Sequence, residues 1–229
     1  SLVVKENFEY ENLNFNPFSK VVSTPTFYFA PSLAISKFDV NKVLNAKDVV
    51  GSLKVKVITH ESGNILVGNV KKPRAIVFAH YDSLQGGAVD NASGVSVLLE
   101  ILMENKELIE KNLFVFVGCE ELSMEKPTYW GFGFRVFENK HLDILNKAKS
   151  LIVIDSIGCS EVKIYRGNEM YETFPVKDFK RLLGKTILIS CDWSILDKFL
   201  HSESDNISMI DEIYVVNTIK FVIKMLKGA

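Results

Sequence analysis

Apolar positions along this chain fall into two kinds of run, and the contrast between them predicts its architecture. RAIVFA (74–79), NLFVFVGC (112–119), SLIVID (150–155) and TILIS (186–190) are apolar at nearly every position. A strand with one wet face alternates apolar and polar residues, so strands apolar throughout belong to a sheet covered on both faces. Between these runs the apolar positions recur at helical spacing. Val95, Val97, Leu98, Leu99, Leu102 and Met103 predict a helix to about residue 110. Further helices are expected over residues 134–148, ending near Gly184, and from about Ser208 to Leu226. This alternation predicts an α/β protein of three layers, α/β/α, around a mixed, mostly parallel central sheet.

The amino-terminal part is harder to read. VVSTPTFYFAPS (21–32) carries two prolines among alternating aromatics and predicts an edge strand or extended segment. Leu53, Val55 and Val57 alternate with Lys54 and Lys56 as a half-buried strand, and ESGN turns it into ILVGNV, a hairpin feeding the next strand. EVKIY (161–165) adds a short strand. No repeat, low-complexity tract or linker divides the chain, so one domain is expected over 1–229, with residues 1–50 packing on it.

Composition narrows the function more by exclusion than by suggestion. With 229 residues, 47% hydrophobic and 24% charged, the chain has the profile of a soluble globular protein with a substantial core. Its net charge of −1 gives no field to draw it to nucleic acid or an anionic membrane, and neither is expected as a partner. Cys119, Cys159 and Cys191 are odd in number, lack CxxC spacing and each follow an apolar run. Buried free thiols in a reducing compartment are expected, one disulfide plus one free thiol being the alternative. Without a basic-then-apolar leader or a long apolar run, a cytoplasmic location is expected unless a leader precedes Ser1.

The chemistry gathers where the buried runs end. RAIVFA stops on His80, with Asp82 just beyond; LFVFVGC stops on Glu120-Glu121; SLIVID stops on Asp155; and a loop after TILIS delivers His201. Open α/β sheets bind ligands outside the carboxyl ends of their strands, so these groups converge. Asp90 joins from the entry to a helix, where a capping role is the plainer alternative. Several carboxylates and imidazoles in one cleft are costly unless cations neutralise them. Imidazole with carboxylate and no thiolate suits catalytic zinc, or manganese or cobalt.

HYDS, GGAVDNASGVSVLLE, CEEL, LIVID and LHSESD, in that order, resemble the co-catalytic di-zinc aminopeptidases. These are clan MH metallopeptidases, relatives of bacterial leucyl aminopeptidases and glutaminyl cyclases. The resemblance covers roughly residues 50–226 and implies a zinc-exopeptidase-like fold, two zinc ions and a peptide substrate with a free N-terminus. It implies that Asp90 bridges the metals, that His80 and Asp155 complete one site, and that Glu121 and His201 complete the other. Glu120 is then the general base, and Asp82 holds the second nitrogen of the His80 ring. Gly86, Gly87 and Gly94 are expected to serve backbone turns only.

Three features depart from the family pattern. Leu200 stands where an aromatic usually precedes the late histidine, leaving oxyanion stabilisation to another group such as Tyr129 or Tyr81. SMEKPTYW (123–130) intervenes after the glutamate pair, either a packed loop or a specificity wall favouring large hydrophobic first residues. The Ser-Asp-His element that often precedes the last strand is not evident, and residues 174–183 occupy its place. The rival readings are a one-zinc glutaminyl-cyclase-like transferase and a non-catalytic binding module on the same fold.

Overall fold

The structure is a computed structural model and describes residues 12–24, 32–50, 58–59, 61–123 and 125–228. The expected strand at 53–57, and most of the segment 21–32, lie outside the described residues.

Six strands form the central sheet: β3 (Ile65–Gly68), β4 (Ala75–His80), β5 (Leu113–Val117), β6 (Ser150–Ile154), β7 (Lys163–Tyr165) and β8 (Thr186–Ser190). Their order is β3-β5-β4-β6-β8-β7. The four inner strands run parallel, while β3 and β7 pair antiparallel at the edges. The sheet is thus mixed and mostly parallel. Two short strands, β1 (Asn12–Asn14) and β2 (Ser32–Ala34), make a separate parallel pair, with α1 (Val40–Asn45) following.

The inner strands are apolar throughout because each face of the sheet has its own helical cover. Along β4 the side chains alternate between two buried clusters, Ile76 and Phe78 in one, Ala75, Val77 and Ala79 in the other. The first is closed by α4 (Phe132–Lys147) and α5 (Phe179–Leu182), through Phe134, Phe137 and Phe179. There Phe78 meets Phe134 and Phe137 edge-on at 5.7 and 5.2 Å between ring centres, the favoured geometry for aromatic pairs. The second is closed by α2 (Ser93–Glu104), α3 (Lys106–Lys111) and α7 (Glu212–Gly228), through Leu98, Leu108 and Val222.

The helix expected to reach residue 110 is two helices. Asn105 leaves helical geometry at φ −133°, ψ 67°, so the chain turns there and the apolar spacing resumes in α3. The last helix starts at Glu212 rather than near Ser208, after a short 3-10 turn at Ile207–Met209. None of the helices among the described residues is long and apolar enough to cross a membrane. Cys191 is buried, but Cys119 and Cys159 are half-buried, which corrects the expectation of burial for two of the three.

Candidate active site

Parallel pairing puts the carboxyl ends of β4, β5, β6 and β8 on one edge of the sheet. Beyond that edge the backbone no longer needs strand partners, so polar residues can occupy the chain without breaking the sheet. His80 closes β4, Glu120 and Glu121 follow β5, and Asp155 follows β6. The loop expected after β8 contains a helical turn, α6 (Trp193–Leu196), before His201. His201 itself takes a left-handed conformation, φ 54°, and its carbonyl accepts from Thr24 N at 2.7 Å. A non-glycine residue held there signals strain imposed by its surroundings, a common trait of functional sites.

Asp90 lies between the two imidazoles. Its Oδ1 is 3.1 Å from His80 Nε2, and its Oδ2 is 3.3 Å from His201 Nε2. Asp155 Oδ1 lies 3.4 Å from His80 Nε2, and Glu121 Oε2 lies 3.1 Å from His201 Nε2. Asp90 does not cap α2, whose entry at Ala92 has no side-chain cap. The peptide bond between Asp90 and Asn91 is cis.

Asp82 differs from expectation. The Nδ1 of His80 meets the main-chain carbonyl of Asp82 at 3.0 Å, while the nearer carboxylate oxygen is 3.9 Å away. That carboxylate instead accepts from the Glu120 and Glu121 amides, both at 3.0 Å. Two main-chain donors suit two carboxylate oxygens better than one ring nitrogen, so Asp82 fixes the glutamate pair while its backbone orients His80.

Two further residues hold the site; both stand in the motifs that carry the resemblance, GGAVDNASG and LHSESD, but neither was assigned a role there. Asp205 accepts from Val89 N at 2.7 Å and Asp90 N at 3.1 Å. Asn91 donates to the Ile154 carbonyl at 2.9 Å and accepts from Ser156 N at 3.2 Å, tying the Asp90 loop to the end of β6. The glycines serve the same packing. A Cβ on Gly86 would fall 1.9 Å from the Asp205 carbonyl, and Gly87 sits at φ 69°.

The electrostatics are those of a site built around positive charge. Burial would lower the His201 pKa, but hydrogen bonds with Asp90 and Glu121 outweigh it and raise it to about 10. His80 is likewise raised, burial being outweighed by Asp155 and Asp90. Burial, then the neighbouring charge of Asp90, lifts Glu121 to about 7. Burial also raises Glu120 well above the carboxylate range, with Glu121, Asp155 and Asp90 adding repulsion and His80 opposing it. Asp90 is held low, since hydrogen bonds from His201 and His80 overcome its burial.

Donor atoms of His80, Asp90 and Glu121 all lie within 4.8 Å of one another, a spacing that fits a metal ion. The buried Oε1 of Glu121 has no hydrogen-bond partner among the described residues. A buried lone pair without a donor is expensive, and a cation satisfies it. The residues present therefore fit zinc.

A cavity of about 250 Å³ opens beside the cluster, lined by Trp130, Trp193, Leu196, Asp197 and Leu200 as well as the cluster itself. Neither Tyr81 nor Tyr129 is among its described lining residues; the Tyr81 hydroxyl donates to the Gly63 carbonyl at 2.7 Å. The segment 123–130 thus contributes Trp130 to the wall.

Residues 64–213 match the model of Peptidase family M28. The chain belongs to peptidase family M28. This M28 chain is similar in fold to Porphyromonas gingivalis glutaminyl cyclase, at 22% identity and a TM-score of 0.56, over 72% of this chain and 76% of that one. It is also similar to BSAP, a zinc aminopeptidase from Bacillus subtilis, at 20% identity and a TM-score of 0.65. That likeness covers 93% of this chain but 62% of the Bacillus protein's length. A Zn-dependent exopeptidase from Parabacteroides distasonis matches at 16% identity and a TM-score of 0.55, over 71% and 76% of the two chains. Comparison with curated proteins returned no match.

The wall is held from below by a buried arginine of the M28 chain. Arg135 Nη1 donates to Thr128 Oγ1 at 2.8 Å and to the Trp130 carbonyl at 2.7 Å, and Nη2 to the Thr128 carbonyl at 3.1 Å. Arg135→Met keeps the apolar stem and removes every donor. It is expected to destabilise the protein by about 2–3 kcal/mol, lowering Tm by roughly 4–12 °C. A melt checks the effect, and an unchanged Tm sinks the anchoring role.

Proposed function

We propose that this M28 protein is an aminopeptidase that binds two zinc-class ions and hydrolyses the N-terminal peptide bond. The observation that carries this reading is the arrangement at Asp90. One carboxylate presents separate oxygens to two separate imidazoles, each with its own second carboxylate, Asp155 or Glu121. In this reading His80 and Asp155 hold one ion, Glu121 and His201 the other, and Asp90 both. When bound, the ions lower the pKa of water and polarise a carbonyl oxygen. Glu120 lines the cavity, takes the water's proton and passes it to the departing amine nitrogen. Asp82 supports that transfer by holding the Glu120 amide, so the base cannot drift from the scissile bond. Asp205 does the same for the Asp90 loop.

The acidic lining also explains a requirement for a free terminus, since it favours an ammonium over an acylated nitrogen. Given Leu-para-nitroanilide and its N-acetyl counterpart, the zinc-loaded protein is expected to cleave the free amine at least about a hundredfold faster, the loss of a charged partner in a partly desolvated site being of order 3 kcal/mol. Metal analysis on the same sample should find two ions per chain. Equal cleavage of both compounds would leave a metal hydrolase but not an aminopeptidase.

A glutaminyl cyclase is the second reading. The fold likeness to the Porphyromonas gingivalis enzyme favours it. One ion per chain and cyclisation of a glutaminyl peptide, without p-nitroaniline release, would select it.

A further inference from the structure

The cavity wall carries a charge that the proposed hydrolysis does not use. Two rings fix its sides. Trp193 stacks on Tyr165 with ring centres 4.3 Å apart and planes 9° from parallel, and Trp130 Nε1 donates to the Glu172 carbonyl at 2.8 Å. Asp197 lines the same cavity, together with Leu196 and Leu200. It is half-buried and follows the single turn of α6. Burial alone acts on it and raises its pKa; among the described residues no hydrogen bond or cation offsets that desolvation. Glu172, exposed, lies on the same cavity.

We infer that Asp197 determines specificity in this pocket, and that the first side chain it selects is cationic, lysine or arginine. The inference rests on the aminopeptidase reading. It departs from the expectation of large hydrophobic first residues drawn from an aromatic wall. A lysine or arginine stem is as apolar as leucine and lies equally well against Trp130 and Trp193, so the wall does not decide. The carboxylate does. An ammonium or guanidinium at the end of that stem meets Asp197, whose carboxylate has no hydrogen-bond partner among the described residues, with the indole faces adding cation–π attraction.

The test compares L-lysine with L-norleucine, which has the same stem without the ammonium. Both are products of the proposed reaction and are not turned over, so calorimetric binding to the zinc-loaded protein reads the pocket directly. Lysine is expected to bind about tenfold tighter, between the scale of an exposed ion pair and that of a desolvated charged hydrogen bond. Asp197→Asn should bind the two alike, and Asp197→Glu should restore the preference. Equal binding by the unaltered protein overturns the inference, as does an Asp197→Asn variant that weakens both ligands equally, or a preference lost only in Glu172→Gln. Lys- and Leu-para-nitroanilide provide the second arm. If lysine binds selectively but neither anilide is cleaved, the pocket assignment stands and the hydrolytic reading fails.

Discussion

Glu120→Gln is expected to reduce turnover by about 10²–10⁴-fold, the usual scale of general base catalysis, while both ions stay bound. The amide keeps the volume of the carboxylate and its place in the cavity but cannot take a proton at neutral pH. The main-chain contacts are also kept, because Asp82 holds the Glu120 amide N–H rather than its side chain. Glu121→Gln should behave differently, losing metal occupancy, since Glu121 rather than Glu120 lies beside His201. A stability readout separates the base from a packing role. In the metal-free protein the Glu120 pKa is raised above its ordinary 4.5, chiefly by burial. A raised carboxylate contributes stability below its unfolded value and loses it as pH climbs through the folded one. The metal-free glutamine variant has no such loss, so its Tm should exceed that of the unaltered protein at neutral pH, by a margin that narrows toward pH 4. Near-normal turnover with metals bound would remove Glu120 from the chemistry.

The central sheet was legible because burial on both faces leaves no room for alternation, and RAIVFA, LFVFV, LIVI and TILIS show none. Helix boundaries were less so. Apolar spacing runs on through Asn105, and nothing in that spacing marks a residue that leaves helical geometry. The turn of α6 was missed because four residues are too few to establish a period. The strand ends drew His80, Glu120, Glu121 and Asp155 together for a topological reason. Parallel neighbours share a direction, so their last residues share an edge.

What the sequence concealed were contacts to backbone. Asp205 holds the amides of Val89 and Asp90 from 116 and 115 residues away. A carboxylate accepting from main-chain N–H places no demand on the side chains opposite, so no pairing of residue types betrays it. The same reason underlies the Asp82 correction. Spacing of two from His80 suggested a side-chain contact, but the carbonyl reaches the ring and frees the carboxylate for the glutamate pair. Asp197 stayed invisible because a half-buried carboxylate near a helix end reads as a solvated surface charge until the pocket around it is seen.

Asp90→Asn tests the centre of the site, and it is expected to lose at least one ion and nearly all activity. The side chain stays the same size, but an amide offers one oxygen where the carboxylate offers two, and it brings no charge to hold two cations together. The repulsion between the ions is then unrelieved, and the second binds far more weakly. The imidazoles change too. In the metal-free site Asp90 is the foremost group raising His201 to about 10, and it supports His80 as well. Metal can bind only after those rings release their protons. Removing the Asp90 charge makes that release easier, which acts in favour of binding; only if the direct attraction of Asp90 for the ions is larger will occupancy fall, and in the proposed two-ion site a carboxylate shared by both cations would make it so. The fold should survive, because Asp90 caps no helix and its loop remains tied by Asp205 and Asn91. Melting curves with and without added zinc decide the case. The unaltered protein should gain several degrees from zinc, as any ligand that binds only the folded state confers. The variant should gain little, with a metal count of one or fewer per chain. Two tightly held ions in Asp90→Asn would show that the contacts of Asp90 with His80 and His201 are ordinary hydrogen bonds and that the pair of ions is held by other residues.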